Sequence, residues 1–350
     1  MCLGVFVAIN KKKKTLNNKK SILITGASGF IGSCLVEKAI EKGYQTFAVI
    51  RKNSNKQYLQ NPAVNFVEFD FNNAPSLDKA LQDFKAQFGK IDYIIHAAGV
   101  TKSINKQDFY NGNYHSTKNL VEALERNGVL PDKFVLVSSL AAFGCGETDE
   151  PITKHQAQKP LTEYGKSKMQ AENYLRSKSN FPFVIVNPTA VYGPRDKDFF
   201  FLLKSISQGI EMYINNTKQK LSFVYVQDLV DAIYIAMESP AFNENFIVSD
   251  LENYTSKEFN NLVKKHLNAK TLTLVIPAPI AYFFAIITEG IGRITKKTPL
   301  LNRERLKEFK AKNWSVDATE IHQLGYKPNY KLDKGLQNAI SWYKENGWLK

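Results

Sequence analysis

A tyrosine and a lysine four positions apart, Tyr164 and Lys168, are the residues of this sequence best suited to chemistry. They lie in the segment TEYGKSKMQAE, whose pattern predicts a helix, and positions i and i+4 share one helix face. An ammonium group beside a phenol favours the phenolate, so we expect the pKa of Tyr164 to fall toward neutrality. Such a phenol could exchange a proton with a carbinol or a carbonyl oxygen.

The spacing alone is not selective, because four Tyr–Lys pairs share it. They are Tyr114/Lys118, Tyr164/Lys168, Tyr174/Lys178 and Tyr330/Lys334. Only Tyr164/Lys168 follows a strand-like run that ends in two serines, Ser138 and Ser139. A serine hydroxyl there could hold the substrate oxygen while Tyr164 moves the proton. The context therefore selects one pair of the four.

The elements that must position these residues alternate along the chain. Strand-like runs cover 21–25, 44–50, 64–70, 91–97, 133–138 and 183–187, and helical patterns cover 30–42, 76–88, 108–127 and 162–178. Apolar strands separated by amphipathic helices are typical of a parallel sheet covered on both faces. The sequence therefore predicts an α/β fold, a doubly wound parallel sheet (Rossmann) with a smaller, mixed C-terminal part. Such sheets bind ligands at the carboxyl ends of their strands.

Three glycines follow the first predicted strand in TGASGFIG: Gly26, Gly29 and Gly32. Gly26 would make the tight turn, Gly29 would let the backbone approach a ligand, and Gly32 would let the helix pack on the sheet. The start of that helix offers free N–H groups and a positive dipole end to a pyrophosphate. A purely structural turn is the alternative, but the position between strand and helix favours a dinucleotide site.

The end of the second predicted strand indicates which dinucleotide is bound. NAD-binding folds usually place a carboxylate there, whereas this sequence has Ile50-Arg51-Lys52. A guanidinium at that point suits a 2′-phosphate, so we expect NADP, with NAD as the other candidate and a solvated basic turn as the alternative reading of Arg51. Asp70, at the end of the third predicted strand, could accept a hydrogen bond from the adenine amino group or could cap a turn.

Several motifs, taken together, resemble the extended short-chain dehydrogenase/reductase family over nearly the whole chain from about residue 20. They are TGASGFIG (25–32), HAAG (96–99), Asn113, SSLAAFG (138–144), YGKSK (164–168) and NPTAVYGP (187–194). The resemblance implies a catalytic set of Ser139, Tyr164 and Lys168, with Asn113 supporting a proton-relay water. It also implies that Lys168 binds the nicotinamide ribose. The cofactor contacts expected are Gly26, Ser28, Gly29, Phe30, Ile31, Gly32, Arg51, Asp70, Phe71, Ala97, Ala98, Gly99, Tyr164, Lys168, and the backbone of Pro188 and Thr189.

Absences narrow the choice within that family. Sugar dehydratases that resemble this sequence carry an acid just after the serine, where Leu140 and Ala141 stand here. Nucleotide-sugar epimerases usually carry an arginine near 221–226 and another before the proline of the sixth strand. This sequence has Ser222, Phe223 and Asn187 at those places, so we expect it to bind a sugar diphosphate weakly.

The C-terminal part resembles the 3β-hydroxysteroid dehydrogenase and dihydroflavonol reductase-like branch, through an apolar segment near 275–287 and the LGY-P segment at 324–328. That branch implies hydride transfer between a nicotinamide and a hydroxyl or carbonyl carbon of a moderately apolar molecule, such as a steroid-, terpenoid- or aryl-like alcohol or ketone. The alternatives are a nucleotide-sugar epimerase with tightly bound NAD and a non-catalytic dinucleotide sensor.

A predicted helix from about Pro279 to Ile291 has more apolar surface than one core face would use. One stripe comprises Ile280, Phe283, Phe284, Ile287 and Ile291, and the residues beside or opposite it are Tyr282, Ala285, Ile286 and Thr288. The second set would border the substrate pocket. A buried core helix is one alternative, and a shallow membrane contact through 278–297, helped by Arg293, Lys296 and Lys297, is another.

Composition sets the remaining limits. The 350 residues are 43% hydrophobic and 12% aromatic, as in a folded globular protein, and the net charge is +14. The lysines are scattered and no nucleic-acid recognition motif accompanies them, so we expect a small-molecule substrate and no nucleic acid. Three separated cysteines predict no disulfide framework and no metal site, and they suit a reducing cytoplasm.

The predicted organisation has three parts. Residues 1–19 form a basic N-terminal extension, and residues 20–190 form the dinucleotide-binding domain, to which 222–250 return. Residues 191–221 and 251–350 form the substrate-binding part. A homodimer is compatible with the sequence.

Overall fold

A computed structural model describes residues 19–295, 298–299 and 301–349. The strands, in chain order, are β1 (Ser21–Thr25), β2 (Gln45–Ile50), β3 (Asn65–Glu68), β4 (Tyr93–His96), β5 (Lys133–Val137), β6 (Phe183–Pro188), β7 (Ala190–Tyr192), β8 (Ile210–Ile214), β9 (Lys220–Leu221), β10 (Phe223–Tyr225), β11 (Glu244–Val248), β12 (Tyr254–Thr255), β13 (Leu272–Ile276) and β14 (Asn313–Trp314). The α-helices are α1 (Phe30–Glu41), α2 (Ala74–Phe88), α3 (Lys106–Phe109), α4 (Ser116–Arg126), α5 (Glu163–Arg176), α6 (Lys197–Ser207), α7 (Val226–Glu238), α8 (Ser256–Leu267), α9 (Ala278–Thr295), α10 (Arg303–Lys310), α11 (Thr319–Gln323) and α12 (Leu332–Glu345).

A seven-stranded sheet in the order β11-β6-β5-β4-β1-β2-β3, with every pair parallel, forms the centre of the fold. The inner strands β1, β4, β5 and β6 are buried along their whole length, because helices cover both faces. One core layer packs α1 and α7 on the sheet, and the other packs α2, α4 and α5. The predicted doubly wound Rossmann fold is confirmed.

The chain order creates a binding edge at the carboxyl ends of the strands. From β1 the connections run outward to β2 and β3, and from β4 they run outward in the other direction to β5, β6 and β11. The order therefore reverses between β1 and β4, which is where doubly wound sheets bind nucleotides.

The predicted helix at 108–127 is divided. Residues Lys106–Phe109 form α3, Tyr110–His115 form one turn of π-helix, and Ser116–Arg126 form α4. A π-helical turn widens the backbone by one residue and frequently lies at a functional site. Asn113 lies inside this turn.

Small sheets and helices complete the fold beyond β6. Strand β7 pairs with β10, β8 pairs with β13, and β9 lies between β12 and β14. The segment 221–226 contains the end of β9 and all of β10, which are separated by Ser222. Among the described residues, no helix is long and apolar enough to cross a membrane.

The helix predicted at Pro279–Ile291 is α9, but its packing is the reverse of the expectation. Its buried residues are small ones, Ala281, Ala285 and Gly292, which bring it close to α10 through Leu306. The large apolar side chains point outward, since Phe283 is 62% exposed and Ile291 is 54% exposed. The expected core stripe is therefore the exposed face of the helix.

Candidate active site

The glycine turn between β1 and α1 has the geometry that a phosphate site needs. Gly26 has a φ of +67°, and a Cβ there would lie 2.7 Å from the Ala97 carbonyl carbon, so only glycine fits. A Cβ on Gly32 would lie 2.0 Å from the Gly26 oxygen, which shows how closely α1 packs on the turn. Gly29 is exposed at the start of the helix.

The first turn of α1 has backbone N–H groups that could bind an anion. Within the part of the chain that the structure describes, no side chain caps this helix and its first turn holds no acidic residue. The N–H groups of Phe30, Ile31 and Gly32 are the first of the helix and cannot bond within it. Ser28, in the turn before them, is partly exposed. These residues fit the pyrophosphate of a dinucleotide.

The other wall of this site is the segment that follows β4. The Thr25 hydroxyl accepts a hydrogen bond from the N–H of Ala98 at 3.1 Å and lies 2.8 Å from Nδ1 of His96. Burial lowers the pKa of His96 to about 3, so its ring is neutral. Phe71 packs edge-on against the same ring, at 5.7 Å between centroids. Thr25 therefore fixes the HAAG segment beside the glycine turn.

Arg51 and Asp70 lie at the same edge of the sheet, after β2 and β3. Arg51 is exposed, and its backbone N–H donates to the Ser54 hydroxyl at 2.9 Å. Asp70 lies two residues beyond the end of β3, and its carboxylate accepts from the N–H of Asn72 at 3.0 Å. That contact is the turn-capping role named as the alternative for Asp70. The cofactor roles of both residues stay predictions.

Ser139, Tyr164 and Lys168 come together at the carboxyl end of β5. Lys168 is buried and donates to the Val137 carbonyl at 2.9 Å. Tyr164 stands at the start of α5, half-buried, and the Ser139 hydroxyl is its hydrogen-bond partner. A Cβ on Gly165 would lie 2.2 Å from the Ala141 oxygen, so this glycine lets α5 approach the serine segment.

The pKa of Tyr164 differs from the sequence-based expectation. Burial raises it to about 12, the hydrogen bond from Ser139 opposes that rise, and the charge of Glu308 adds to it. The expected fall toward neutrality is wrong for this structure, because burial, which disfavours the phenolate, is the largest influence on this pKa. The Lys168 ammonium donates to the Val137 carbonyl. Burial lowers the pKa of Lys168 to about 8, and Glu172 partly restores it.

Glu172 is a residue of the site that sequence reasoning missed. It lies one turn beyond Lys168 on α5 and is fully buried. Its carboxylate accepts hydrogen bonds from four side chains: Ser138 (Oγ), Asn187 (Nδ2, 2.6 Å), Gln158 (Nε2, 2.6 Å) and Arg176 (Nη2, 3.0 Å). Ser138 and Ser139 thus divide their roles, since the first anchors α5 to the sheet and the second contacts Tyr164.

Asn113 is buried in the π-helical turn and its side-chain amide is fully engaged. Its oxygen accepts from the N–H of Val100 at 2.8 Å, and its nitrogen donates to the Val100 carbonyl at 3.0 Å and to the Ser167 hydroxyl at 2.8 Å. A Cβ on Gly99 would lie 2.8 Å from this amide oxygen. Asn113 therefore ties the segment after β4 to α5, and its role toward a relay water stays a prediction.

Pro188 and Thr189 lie at the end of β6, both buried. The N–H of Thr189 donates to the Val248 carbonyl at 3.0 Å, and its hydroxyl donates to the same oxygen at 3.1 Å. The backbone N–H of Thr189 is thus committed to β11. Their expected role toward a nicotinamide remains a prediction.

The other three Tyr–Lys pairs lie away from the serines. Tyr114 contacts the ring of His115, and Tyr174 contacts the ammonium of Lys178. The ring of Tyr330 packs on Tyr225, at 4.4 Å between centroids. The structure therefore brings only Tyr164 and Lys168 of the four pairs next to Ser139.

Helix α10 covers the start of α5 with two carboxylates. Glu304 accepts from the N–H of Glu163 at 2.8 Å, which places a negative charge at the N-terminus of α5. Glu308 accepts from the Thr162 hydroxyl at 3.4 Å, and burial raises the pKa of its carboxyl. These contacts join residues about 140 positions apart.

A cavity of about 660 Å³ lies between α9, α10 and the segment around α3. Phe109 contributes to its wall, and the ring of Phe109 lies 6.3 Å from that of Tyr164. Leu161, Tyr282 and Leu306 add further apolar wall. The charged lining residues are Lys106, Glu289, Arg293, Arg303, Glu304, Lys307 and Lys310. The cavity thus combines an apolar wall with an excess of positive charge.

Comparison with known proteins identifies the family. Residues 22–248 match the model of the NAD dependent epimerase/dehydratase family, and the chain therefore belongs to it and, with it, to the extended short-chain dehydrogenases/reductases. Members are NAD-dependent dehydrogenases, epimerases and dehydratases, so the protein is an enzyme of this kind. The resemblance seen in the sequence is confirmed.

Relatives in this family differ in substrate. N-acetyl-alpha-D-glucosaminyl-diphospho-ditrans,octacis-undecaprenol 4-epimerase of Escherichia coli O157:H7 is 28% identical, over 92% of this chain and 95% of that protein. Sterol-4-alpha-carboxylate 3-dehydrogenase, decarboxylating, of Dictyostelium discoideum is 25% identical, over 91% of this chain and 99% of that protein. The structure of UDP-glucose 4-epimerase from Thermotoga maritima with UDP-glucose superposes with a TM-score of 0.75 at 21% identity. The superposition covers 93% of this chain and 99% of that protein. This last likeness concerns the fold.

Proposed function

We propose that the protein is an NADP(H)-preferring dehydrogenase or reductase. It would move a hydride between the nicotinamide and the hydroxyl or carbonyl carbon of a moderately apolar molecule, such as a steroid-, terpenoid- or aryl-like alcohol or ketone. The observation that carries this proposal is the cavity with Phe109, Leu161 and Leu306 in its wall. Tyr164 does not line this cavity itself but lies behind Phe109, at 6.3 Å between the two ring centroids. A ring or alkyl chain would bury apolar area there.

The residues of the site have distinct tasks in such a reaction. When bound, the nicotinamide supplies or accepts the hydride. Tyr164 would give its proton to the oxygen of a carbonyl substrate, and Ser139 would hold that oxygen. Because the pKa of Tyr164 is about 12, the phenol rests in its protonated form, which suits reduction. Oxidation of an alcohol requires the phenolate and should therefore be favoured at alkaline pH.

The preference for NADP is supported by the residue after β2. Arg51 directly follows the strand, its side chain is exposed, and Lys52 comes next. A 2′-phosphate could bind such a guanidinium through two hydrogen bonds. The family as a whole is NAD-dependent, so NAD is the other candidate.

A 4-epimerase acting on a sugar diphosphate is the second candidate, favoured by the charges of the cavity. The sequence places no arginine at 222 or 223, and the structure buries both residues, with Phe223 in the core. Helix α10 instead brings Arg303, Lys307 and Lys310 to the cavity. A lipid-linked sugar diphosphate, the kind of molecule named for the Escherichia coli relative, would use both the cations and the apolar wall.

Cofactor retention separates these candidates. The protein is purified, denatured, and its released cofactor is identified. NADPH that exchanges freely, together with absorbance changes on apolar ketones, supports the proposal. Retained NAD, with epimerisation of sugar diphosphates and no turnover of apolar ketones, would overturn it in favour of the second candidate. Binding without turnover across both panels would instead indicate a sensor. The Tyr164→Phe variant serves as the control, because it should bind cofactor and lack turnover in the first two cases.

The substrate panel itself has a quantitative expectation. Apolar ketones should bind with dissociation constants of about micromolar, and UDP-sugars with roughly millimolar ones. Tyr282, which lines the cavity from α9, is 48% exposed. Tyr282→Ala should raise KM for an apolar ketone more than it lowers the melting temperature. Of the four residues expected from the sequence to border the pocket, only Tyr282 lines the cavity, and the expectation is wrong for Ala285, Ile286 and Thr288. Ile286→Ala is therefore a matched control on the same helix, since Ile286 is 46% exposed.

A further inference from the structure

Helix α9 and the neighbouring pair β8–β13 present large apolar side chains to the exterior. We call this surface the apolar face. It is defined by Met212, Leu272 and Leu274 on the strands and by Phe283, Ile287 and Ile291 on the helix, which are between 39% and 67% exposed. Ile294, the last apolar residue of α9, is 84% exposed. Apolar side chains clustered in this way usually mark a site of interaction.

Apolar contacts join the strands to the helix. In the parallel pair, Met212 lies beside Leu274, and Ile214 lies beside Ile276 at the strand ends. Alternate residues of a strand point to the same side, so these four share one side of the pair. Ile214 and Ile276 pack against the buried side of α9, where Ala285 lies. The apolar side of the strands therefore continues into the helix.

The charges around the apolar face are mainly positive. Lys204 on α6, Lys270 before β13 and Arg293 on α9 are exposed. The carboxylates of α6, β8 and α9 are already paired: Asp198 with Lys102 and Arg305, Glu211 with Lys264, and Glu289 with Arg303. The net charge of the chain is +14. The surroundings of the apolar face thus favour an anionic partner.

We propose that the apolar face docks on an anionic lipid bilayer, with α9 lying flat in the interface. A helix of 18 residues is about 27 Å long, and its aromatic and aliphatic side chains would enter the region between headgroups and acyl chains. Lys204, Lys270 and Arg293 would meet lipid phosphates. The sequence-based membrane contact extended to residue 297, and Lys296 and Lys297 lie outside the described residues.

A second copy of the chain fits this surface less well. A two-fold dimer pairs the same patch with itself, so the set Lys204, Lys270 and Arg293 of one copy would be brought close to the same positively charged set of the other. Like charges brought together in that way oppose association. A bilayer with anionic headgroups removes this conflict.

Docking in this orientation would place the cavity next to the lipid. Tyr282, Glu289 and Arg293 line the cavity from the same helix, about a third of a turn from Phe283 and Ile287. A molecule dissolved in the bilayer would reach the cavity along α9. This route rests on the proposed function, whereas docking itself does not.

Vesicle flotation of the full chain tests the docking without cofactor or substrate. The probes are phosphatidylcholine vesicles with and without about 30% phosphatidylglycerol, at low salt and at about 0.5 M salt. We expect the protein to float with the anionic vesicles and to bind less at high salt. Phe283→Glu/Ile287→Glu should lower the partition coefficient at least about tenfold. The matched control is Leu130→Glu/Phe242→Glu, two residues that are 45% and 54% exposed elsewhere on the molecule, and it should float like the wild type.

Three results would overturn the proposal. The first is a wild-type chain that does not float with anionic vesicles at low salt. The second is a Phe283→Glu/Ile287→Glu variant that binds as the wild type does, with an unchanged melting temperature showing that it is folded. The third is a wild-type dimer that this variant converts to a monomer, measured by light scattering, without vesicle binding; the apolar face would then be a dimer interface. Because no turnover is measured, vesicle binding can succeed or fail independently of the proposed function.

Discussion

Replacing Glu172 is the perturbation whose cost the structure defines best. The residue is fully buried on α5, and its carboxylate receives hydrogen bonds from Ser138, Asn187, Gln158 and Arg176. It joins α5 to the ends of β5 and β6. Its charge also raises the pKa of Lys168, one turn away. Its loss should affect both the stability of the protein and the pKa of Lys168.

The loss of stability in Glu172→Ala follows from the hydrogen bonds that the substitution removes. Ser138 and Asn187 would lose a buried acceptor, at about 1–3 kcal/mol each. Arg176 is 35% exposed and can turn to solvent, so its pair adds at most about 1 kcal/mol. We expect the free energy of unfolding to fall by about 3–5 kcal/mol, allowing for relaxation. Glu172→Gln keeps the shape and loses the charge, and about 1–2 kcal/mol should be lost.

Urea denaturation followed by circular dichroism measures this loss, provided that the m-value stays constant. Glu125→Ala is the matched control, because Glu125 forms a 2.7 Å ion pair with Lys178 on the surface and should cost less than about 1 kcal/mol. If Glu172→Ala cost no more than this control, the network would not hold α5 in place, and the reasoning above would be refuted.

The remaining predictions concern the cofactor and the proton. Arg51→Asp should weaken NADPH binding by about 1–3 kcal/mol and spare NADH, measured by calorimetric titration; equal losses for both would show that Arg51 points into solvent. Glu308→Gln removes a charge that raises the pKa of Tyr164, so the pH profile of alcohol oxidation should move to lower pH. The rate at pH 7 should rise between about twofold and tenfold. Glu304→Gln is the control for it, and an unchanged profile for Glu308→Gln would contradict the assigned contact.

Much of the fold could be predicted because its signals are local. Each strand of the central sheet before residue 190 is a short apolar run, and the glycines after β1 mark a turn that only glycine can adopt. The choice of Tyr164 among four similar pairs needed one further local fact, the serines at the end of β5. Some strand ends were predicted too long by one or two residues, as at β3, where pairing stops at Glu68.

What the sequence did not indicate depends on contacts between distant segments. Glu172 looks like any helical glutamate, and only the fold shows that it lies beneath Ser138 and Asn187. The carboxylates of α10 meet α5 across about 140 residues. The pKa of Tyr164 was predicted from one neighbour, Lys168, whereas burial dominates it. For α9, the small residues pack inward because they allow close approach to α10, which periodicity could not distinguish from the opposite arrangement.

The most direct test of the account is the rate of hydride transfer in Tyr164→Phe, with Tyr174→Phe as the control. The variant should bind NADPH as the wild type does and lose at least about a hundredfold in kcat on any substrate that the wild type turns over, because the phenol is needed only at the reacting oxygen. Tyr174, which contacts Lys178 at the surface, should tolerate the same change. If Tyr164→Phe kept a tenth of the wild-type kcat, or if both variants lost activity equally, Tyr164 would not be the proton donor.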